Sequence, residues 1–484
     1  MDKNSILKIL VLLSLLSLLA CGSGSGDTPD GGATVNPPEL QNVDPAANDS
    51  SALAGAAITA TFDKDMRSGS DSTFVLYGSQ TGKLVGTYTG GGSDTLRFDP
   101  DNRFKIGEEI EVILTDSLAS TQSQSLEAPI VYRFRAETLA GTGDFTAADT
   151  VAGQTNAQGL AAGDWDDDGD VDLAVANNGA SRVDILINDG TGDFSIGDTI
   201  PSQTNAQALA AGDWDDDGDL DLAVANFAAG RVDILINNGS GDFTAVDTIA
   251  GQTNAQDLTA GDWDGDGDLD LAVANSGASR VDILVNDGTG DFTPADIISS
   301  QTNAQGLASG DWDDDGDLDL AVANSGASRV DILINDGTGD FSIADTIAGQ
   351  TNAQDLAAGD WDDDGDLDLA VANFGASRVD ILINDGTGDF TITDIISSQT
   401  NAQGLASGDW DGDRDLDLAV ANSAAGRVDI LENNGIGDFT AADTIAGQTN
   451  AQALAAGDWD GDDDLDLAVA NFSASRVDIL ENQP

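Results

Sequence analysis

Seven times along this chain, aspartates occupy every second position of a nine-residue stretch, beginning with DWDDDGDVD at residues 164–172. Asp164, Asp166 and Asp168 stand at positions 1, 3 and 5, Gly169 at 6, Asp170 at 7 and Asp172 at 9. That is the spacing of a loop wrapping Ca2+, with side-chain oxygens from positions 1, 3, 5 and 9 and a backbone carbonyl from 7. Glycine at position 6 lets the chain turn sharply. The second copy supplies Asp213, Asp215, Asp217, Asp219 and Asp221; the third Asp262, Asp264, Asp266, Asp268 and Asp270. The fourth has Asp311, Asp313, Asp315, Asp317 and Asp319, and the fifth Asp360, Asp362, Asp364, Asp366 and Asp368. The sixth has Asp409, Asp411, Asp413, Asp415 and Asp417, and the seventh Asp458, Asp460, Asp462, Asp464 and Asp466.

Five carboxylates so close together repel one another unless a cation or solvent intervenes. An EF-hand would need glutamate at position 12, where this chain has Val175, and flanking helices. Position 6 is glycine in the first five loops, Arg414 in the sixth and Asp463 in the seventh. A non-glycine residue with positive φ is strained, less so for Asp than for Arg, and Arg414 adds a positive charge. Five strong calcium sites and one or two weaker ones are expected, with affinities of extracellular modules, about 10⁻⁴–10⁻³ M or somewhat tighter.

The elements that position these loops repeat with them. Residues 142–484 divide into seven units of 49 residues with no remainder. The first unit holds four short extended runs, at 145–151, 158–163, 173–176 and 183–187, the last ending in the turn signal Asn188-Asp189-Gly190. Four strands per unit of this length is the arithmetic of a β-propeller blade, and nothing in the unit carries helical periodicity. The run 173–176 reads apolar on both faces, as a strand between neighbouring blades would. Trp165 inside the loop is expected to pack between blades.

The run GDWDDDGDVDLAVAN…VDILINDGTGDF resembles the FG-GAP/VCBS repeat, the blade of integrin α-chain propellers and of many bacterial surface proteins. The resemblance implies that the metal loop joins the innermost strand of a blade to the second. The first run of each unit would then be the outermost strand of the preceding blade. Residues 145–151 would close the ring beside residues 477–480.

Upstream, residues 1–20 carry Lys3 and Lys8 and then an apolar run too short to span a bilayer, the pattern of a cleaved export signal. Leu18-Leu19-Ala20-Cys21 resembles the lipobox of bacterial lipoproteins, which implies acylation of Cys21 and a lipid anchor in the bacterial envelope, at the outer membrane or cell surface. Residues 21–36 read as that cysteine and a flexible tether rich in Gly and Ser. Cys21 is the single cysteine, so no intrachain disulfide is possible. Between residues 37 and 138, short alternating runs at 57–62, 74–77, 84–89, 95–98, 109–114 and 130–134 suggest a β-sandwich. With its TFDKDM and LRFDPDNRFKIGEEIEVIL segments it resembles bacterial Ig-like domains, usually spacers, and no site is expected there. The fold class is therefore all-β, a seven-bladed β-propeller preceded by a small Ig-like sandwich.

A formal net charge of −69 argues against nucleic acid and anionic lipid as direct partners of the folded part. Seven divalent ions would cancel only a small part of it. Histidine is absent, which removes the commonest general base and transition-metal ligand. Seven nearly identical units lack the differently tuned groups that catalysis needs, so no enzyme is expected. On the face opposite the calcium, the family topology places Gln-Thr-Asn-Ala-Gln (Gln154–Gln158 in the first unit) and Asn177 with Arg182. These could hydrogen-bond a sugar or a peptide, or could satisfy loop backbones while Arg182 pairs with an Asp. The expected function is a calcium-stabilised, membrane-anchored binding module, monomeric, for adhesion or protein–protein interaction. The alternative is a multivalent carbohydrate-binding propeller.

Overall fold

The computed structural model describes residues 36–69, 73–139 and 141–483. Apart from one 3-10 turn at Ser325–Ala327, its regular elements are strands, and residues 37–484 form one compact unit. No helix among the described residues is long and apolar enough to cross a membrane. Residues 1–20 and Cys21, with the expected signal and lipid anchor, lie outside the described residues.

The first eight strands are β1 (Leu40–Asp44), β2 (Ile58–Phe62), β3 (Phe74–Gly78), β4 (Gly82–Lys83), β5 (Gly86–Thr89), β6 (Thr95–Pro100), β7 (Glu109–Leu114) and β8 (Ile130–Arg135). They make two four-stranded sheets, ordered β1-β2-β6-β5 and β4-β3-β7-β8. Alternation puts Ile58, Ala60 and Phe62 of β2 inward, against Phe74, Leu76, Phe98, Val112 and Phe134. Strand β7 departs from alternation: Ile113 and Val112 are both buried, because its outer face also meets apolar residues of the ring.

The ring begins with β9 (Phe145–Ala152). The first blade follows as β10 (Ala157–Gly163), β11 (Asp172–Asn177), β12 (Arg182–Asn188) and β13 (Phe194–Pro201), antiparallel throughout. Five more blades repeat this order, and the seventh is completed by β9, paired along its length with the final strand Arg476–Asn482. Val151 lies opposite Val477 and Ala147 opposite Leu480, so the ring is closed by strands from its two ends, as the repeat phase implies. Closure leaves no blade with a missing outer strand.

All six residues of β11 are buried, as the two-sided apolar pattern requires. Trp165 and its six counterparts are fully buried between blades. Trp165 stands edge-on to Phe243 of the next blade, with ring centroids 5.8 Å apart, and Trp459 does the same with Phe194 across the closure. The carbonyl of each loop tryptophan also accepts a bond from an asparagine of the following blade, such as Asn237 Nδ2 to Trp165 O at 2.9 Å. Each acidic loop is thus tied into a blade junction.

Candidate metal loops, capped face and channel mouth

Each acidic loop links the innermost strand of its blade to the second, here β10 to β11. Asp172, the first residue of β11, is fully buried. It accepts the backbone N–H of Trp165 at 3.0 Å and of Asn188 at 2.8 Å, so it holds the loop's start to the end of β12. Position 1 closes the turn: Gly169 N–H donates to Asp164 Oδ2 at 3.1 Å. Position 5 accepts from position 7, Asp170 N–H to Asp168 Oδ1 at 3.0 Å.

The structure brings positions 1, 3 and 9 together. Carboxylate oxygens of Asp164, Asp166 and Asp172 lie within 4.8 Å of one another, as do those at the same positions of loops two, three and five. In loop four the group is Asp311, Asp313 and Asp315. The position 7 side chains stand apart, beside the turn after the third strand, where Asp170 lies against Gly190. Burial pushes Asp172 up to about 8 and Asp319 to about 9, against the pull of the backbone amides and with a further push from loop carboxylates. Oδ1 atoms of Asp164, Asp166, Asp215, Asp264, Asp313 and Asp362 are buried without a hydrogen-bond donor. Converging, desolvated oxygens lacking donors are the donor set of a hard divalent cation, so the residues fit Ca2+.

The loops differ where the sequence says they should. Gly169 has φ 103°, Arg414 is forced to φ 84° and Asp463 to φ 72°. Position 4 is also left-handed, as at Asp167 with φ 59°, a requirement the sequence reading missed although Gly265, Gly412 and Gly461 mark it in three loops.

The sandwich does not stand off as a spacer; it covers the loop face of the ring. In six of the seven loops the position 6 carbonyl accepts a bond from the sandwich or the segment just after it. Tyr77 Oη reaches Gly267 O at 3.0 Å, Val131 N–H reaches Gly316 O at 2.6 Å and Asn48 Nδ2 reaches Gly365 O at 3.0 Å. Ser50 Oγ reaches Arg414 O at 3.4 Å, Leu139 N–H reaches Asp463 O at 2.8 Å, and the Lys105 ammonium reaches Gly169 O. Lys105 also bonds Asp164 Oδ2 at 2.9 Å, and Lys83 pairs with Asp216 of loop two. Thr138 Oγ1 donates to Asp409 Oδ2 at 3.0 Å.

From β8, Arg133 and Arg135 enter this end of the channel. Arg133 pairs with Glu111 at 2.6 Å and donates to Ser309 Oγ at 2.8 Å; Arg135 donates to Ser407 O at 3.2 Å. A cavity of about 460 Å3 remains between these residues and the inner strands.

At the opposite end, the two glutamines of each Gln-Thr-Asn-Ala-Gln loop part company. Gln154 is fully buried and accepts from Asn177 Nδ2 at 2.7 Å; Asn177 also donates to Asp184 Oδ2 at 3.1 Å. Asp184 pairs with Arg182 at 2.7 Å and accepts Thr199 Oγ1 at 2.9 Å. Asp184 is the centre of this buried cluster, in which Gln154 Nε2 and Asn177 Oδ1 are enclosed without a partner. Gln158 instead lies where the pairing of β10 shifts register after Ala157, and its side chain lines the channel. Its six counterparts complete a ring around a mouth of about 370 Å3, which Asp257 and Asp355 also line. Burial pushes Asp257 to about 7 and Asp355 to about 6. Phe227, Phe374 and Phe472 on this face are half-buried.

No curated protein matches the chain in sequence. Among solved structures, a streptogramin B lyase matches with TM-score 0.50 at 14% identity, over 70% of this chain and 97% of that one. BBS1N, solved in complex with ARL6DN, matches with TM-score 0.52 at 15% identity, over 71% of this chain and 98% of that one. Identities this low show a common propeller fold alone. The bacterial Ig-like domain profile matches residues 34–136. The FG-GAP-like repeat profile matches six times, over residues 164–224, 213–273, 262–322, 311–371, 360–420 and 409–469. The greater part of the chain is thereby covered, and the protein belongs to the FG-GAP-like repeat family.

Proposed function

We propose that this protein is a calcium-stabilised binding module of the bacterial envelope, anchored through an acylated Cys21, that holds a protein partner on the glutamine-lined face of its ring. One observation carries the reading. The sandwich occupies the loop face, so the face open to a partner is the other one, with seven glutamines around the channel mouth. Calcium then serves the ring's integrity at the blade junctions, away from the partner. The converging carboxylates support that ion, at positions 1, 3 and 9 in four loops and at 1, 3 and 5 in the fourth; the loop spacing adds Asp at position 5 and the position 7 carbonyl as ligands.

A non-catalytic role agrees with the groups at the mouth: amides and two carboxylates, with no histidine in the chain and no lysine after Lys105. Adhesion is the function such a tethered module would perform, as a monomer at the outer membrane or cell surface. A carbohydrate ligand is the second reading, because a closed ring of primary amides also suits sugar hydroxyls. The amides between blades are buried and the arginines there are paired with aspartates, which disfavours separate sugar sites there.

The test is capture from envelope extracts alongside a glycan array, each with calcium and with chelator. A variant carrying Gln256→Ala, Gln305→Ala and Gln354→Ala is run beside the native protein. Protein capture lost in the variant, with silence on glycans, supports adhesion; the reverse pattern supports the lectin. Capture equal in both proteins counts against the glutamine face.

A further inference from the structure

The sandwich touches the ring through atoms that the metal loops themselves orient. In six of the seven loops the position 6 residue is held at both ends. Its N–H donates to the position 1 carboxylate, as Gly267 does to Asp262 Oδ2 at 3.0 Å and Asp463 to Asp458 Oδ2 at 3.1 Å. Its carbonyl, in six loops, faces a donor of the sandwich or of the segment after it. In the third to seventh loops a bound cation, the position 1 carboxylate, the position 6 peptide and the sandwich therefore form one short chain of contacts; in the first, the Lys105 ammonium sits on Asp164 itself and competes with the cation. Taking the cation away leaves converging carboxylates that repel, and the position 1 carboxylate that takes this repulsion is the one holding the position 6 N–H. Its movement turns the position 6 carbonyl off its donor.

We propose that docking of the Ig-like sandwich depends on calcium: the loaded loops form a composite receptor for it, and loss of the ion releases the sandwich and opens the loop end of the channel. The inference rests on the calcium reading above. Six weak bonds on one rigid ring act together, since once some form the others are intramolecular. The setting is unambiguous despite the near sevenfold ring. Arg133 and Arg135 find hydroxyls at Ser309 and Ser407, where the other five units have alanine. Reciprocity follows by linkage: if calcium strengthens docking, docking strengthens calcium binding by the same factor. Release would expose Glu111, Arg133 and Arg135, a charged surface otherwise enclosed around about 460 Å3.

The experiment uses the full chain with Cys21→Ser and spin labels at Thr87→Cys on the sandwich and Ala348→Cys on an outer strand, both exposed positions. Label distances are measured in saturating calcium and in chelator, with calcium uptake followed by calorimetry. The expected result is one narrow distance with calcium, a broad and longer distribution in chelator, and recovery on adding calcium back. Calcium uptake with an unchanged distance overturns this inference alone; no uptake at all overturns the calcium reading with it. Where chelation melts the ring, the reverse arm decides. Removing two carbonyl donors that touch no metal ligand, Tyr77→Phe with Asn48→Ala, should weaken calcium binding about threefold or more. Unaltered affinity in that variant overturns the proposal.

Discussion

At residue scale, Arg414 is the clearest departure from the repeat. It adopts φ 84°, and its N–H still closes the turn on Asp409 Oδ2 at 3.1 Å. The loop has kept its shape at the cost of backbone strain, about 1–2 kcal/mol for a residue with a Cβ. Arg414→Gly removes that strain and a positive charge beside the ligands. Calorimetry on the variant should show the sixth loop binding calcium about tenfold more tightly, with a small gain in thermal stability. Seven equal sites in the native protein would contradict the ranking of loops. Asp257 and Asp355 give the second prediction at this scale. Burial foremost, and for Asp257 its neighbour Asp355, raise them to about 7 and about 6. Backbone N–H groups of Leu307 and Leu405 oppose the shift. Between about pH 4 and 7 the folded ring holds protons that the unfolded chain has released. The stability they confer is present in full below about pH 4 and is lost as pH rises through about 7. In saturating calcium, Asp257→Asn with Asp355→Asn should flatten the fall of Tm across that window, the variant exceeding the native protein by about 2–4 °C near pH 8. Parallel curves would show that these carboxylates do not titrate in the folded ring.

At element scale, the closing strand decides whether the ring is one cooperative body. Strand β9 supplies the outer edge of the last blade and brings Phe145 against Trp410, with centroids 5.8 Å apart. Deleting residues 142–151 should unfold the ring as a whole, read as loss of the main calorimetric transition; a truncation that melts unchanged would refute closure by this strand. Trp312→Ala in the middle of the ring should cost about 3–5 kcal/mol by opening a cavity at a blade junction. This level of the molecule was legible in the sequence because a 49-residue period carries loop, strand and turn signals together. Repetition averaged away the ambiguity of any one short strand. The position of the sandwich was not legible. Its contacts come from Asn48, Tyr77, Lys105, Val131 and Leu139, which share neither spacing nor type, and several donate from or to the backbone. Ser309 and Ser407 were the visible trace, two serines among five alanines, but nothing in the sequence says that the odd residues face an arginine. Gln154 and Gln158 belong to one motif and still take opposite roles, because the register shift in β10 decides which amide enters the channel. Spacing alone does not reveal that shift.

At the scale of the whole molecule, the seven loops are spread evenly over the junctions that hold the ring closed, so calcium bound there would act on every junction at once. Unfolding would then release all the bound ions together. A ligand that binds only the folded chain stabilises it by RT ln(1 + [L]/Kd) for each site, about 1.4 kcal/mol per site at tenfold over Kd. Stability should therefore climb with the logarithm of free calcium and show no plateau once the sites fill. The slope counts the ions lost on unfolding, and it should lie between five and seven. The count is best taken from denaturant unfolding at fixed ionic strength, because a chain with net charge −69 is also stabilised by screening alone. Magnesium at matched concentration separates the two effects: it screens as well as calcium but demands a smaller, near-octahedral cage. A calcium slope near one would mean that a single loop matters and the rest are acidic turns. A slope equal to that in magnesium would mean that the carboxylates are answered by diffuse charge. A slope of five or more, specific to calcium, would make the ions as much a part of the ring as the tryptophans packed beside them.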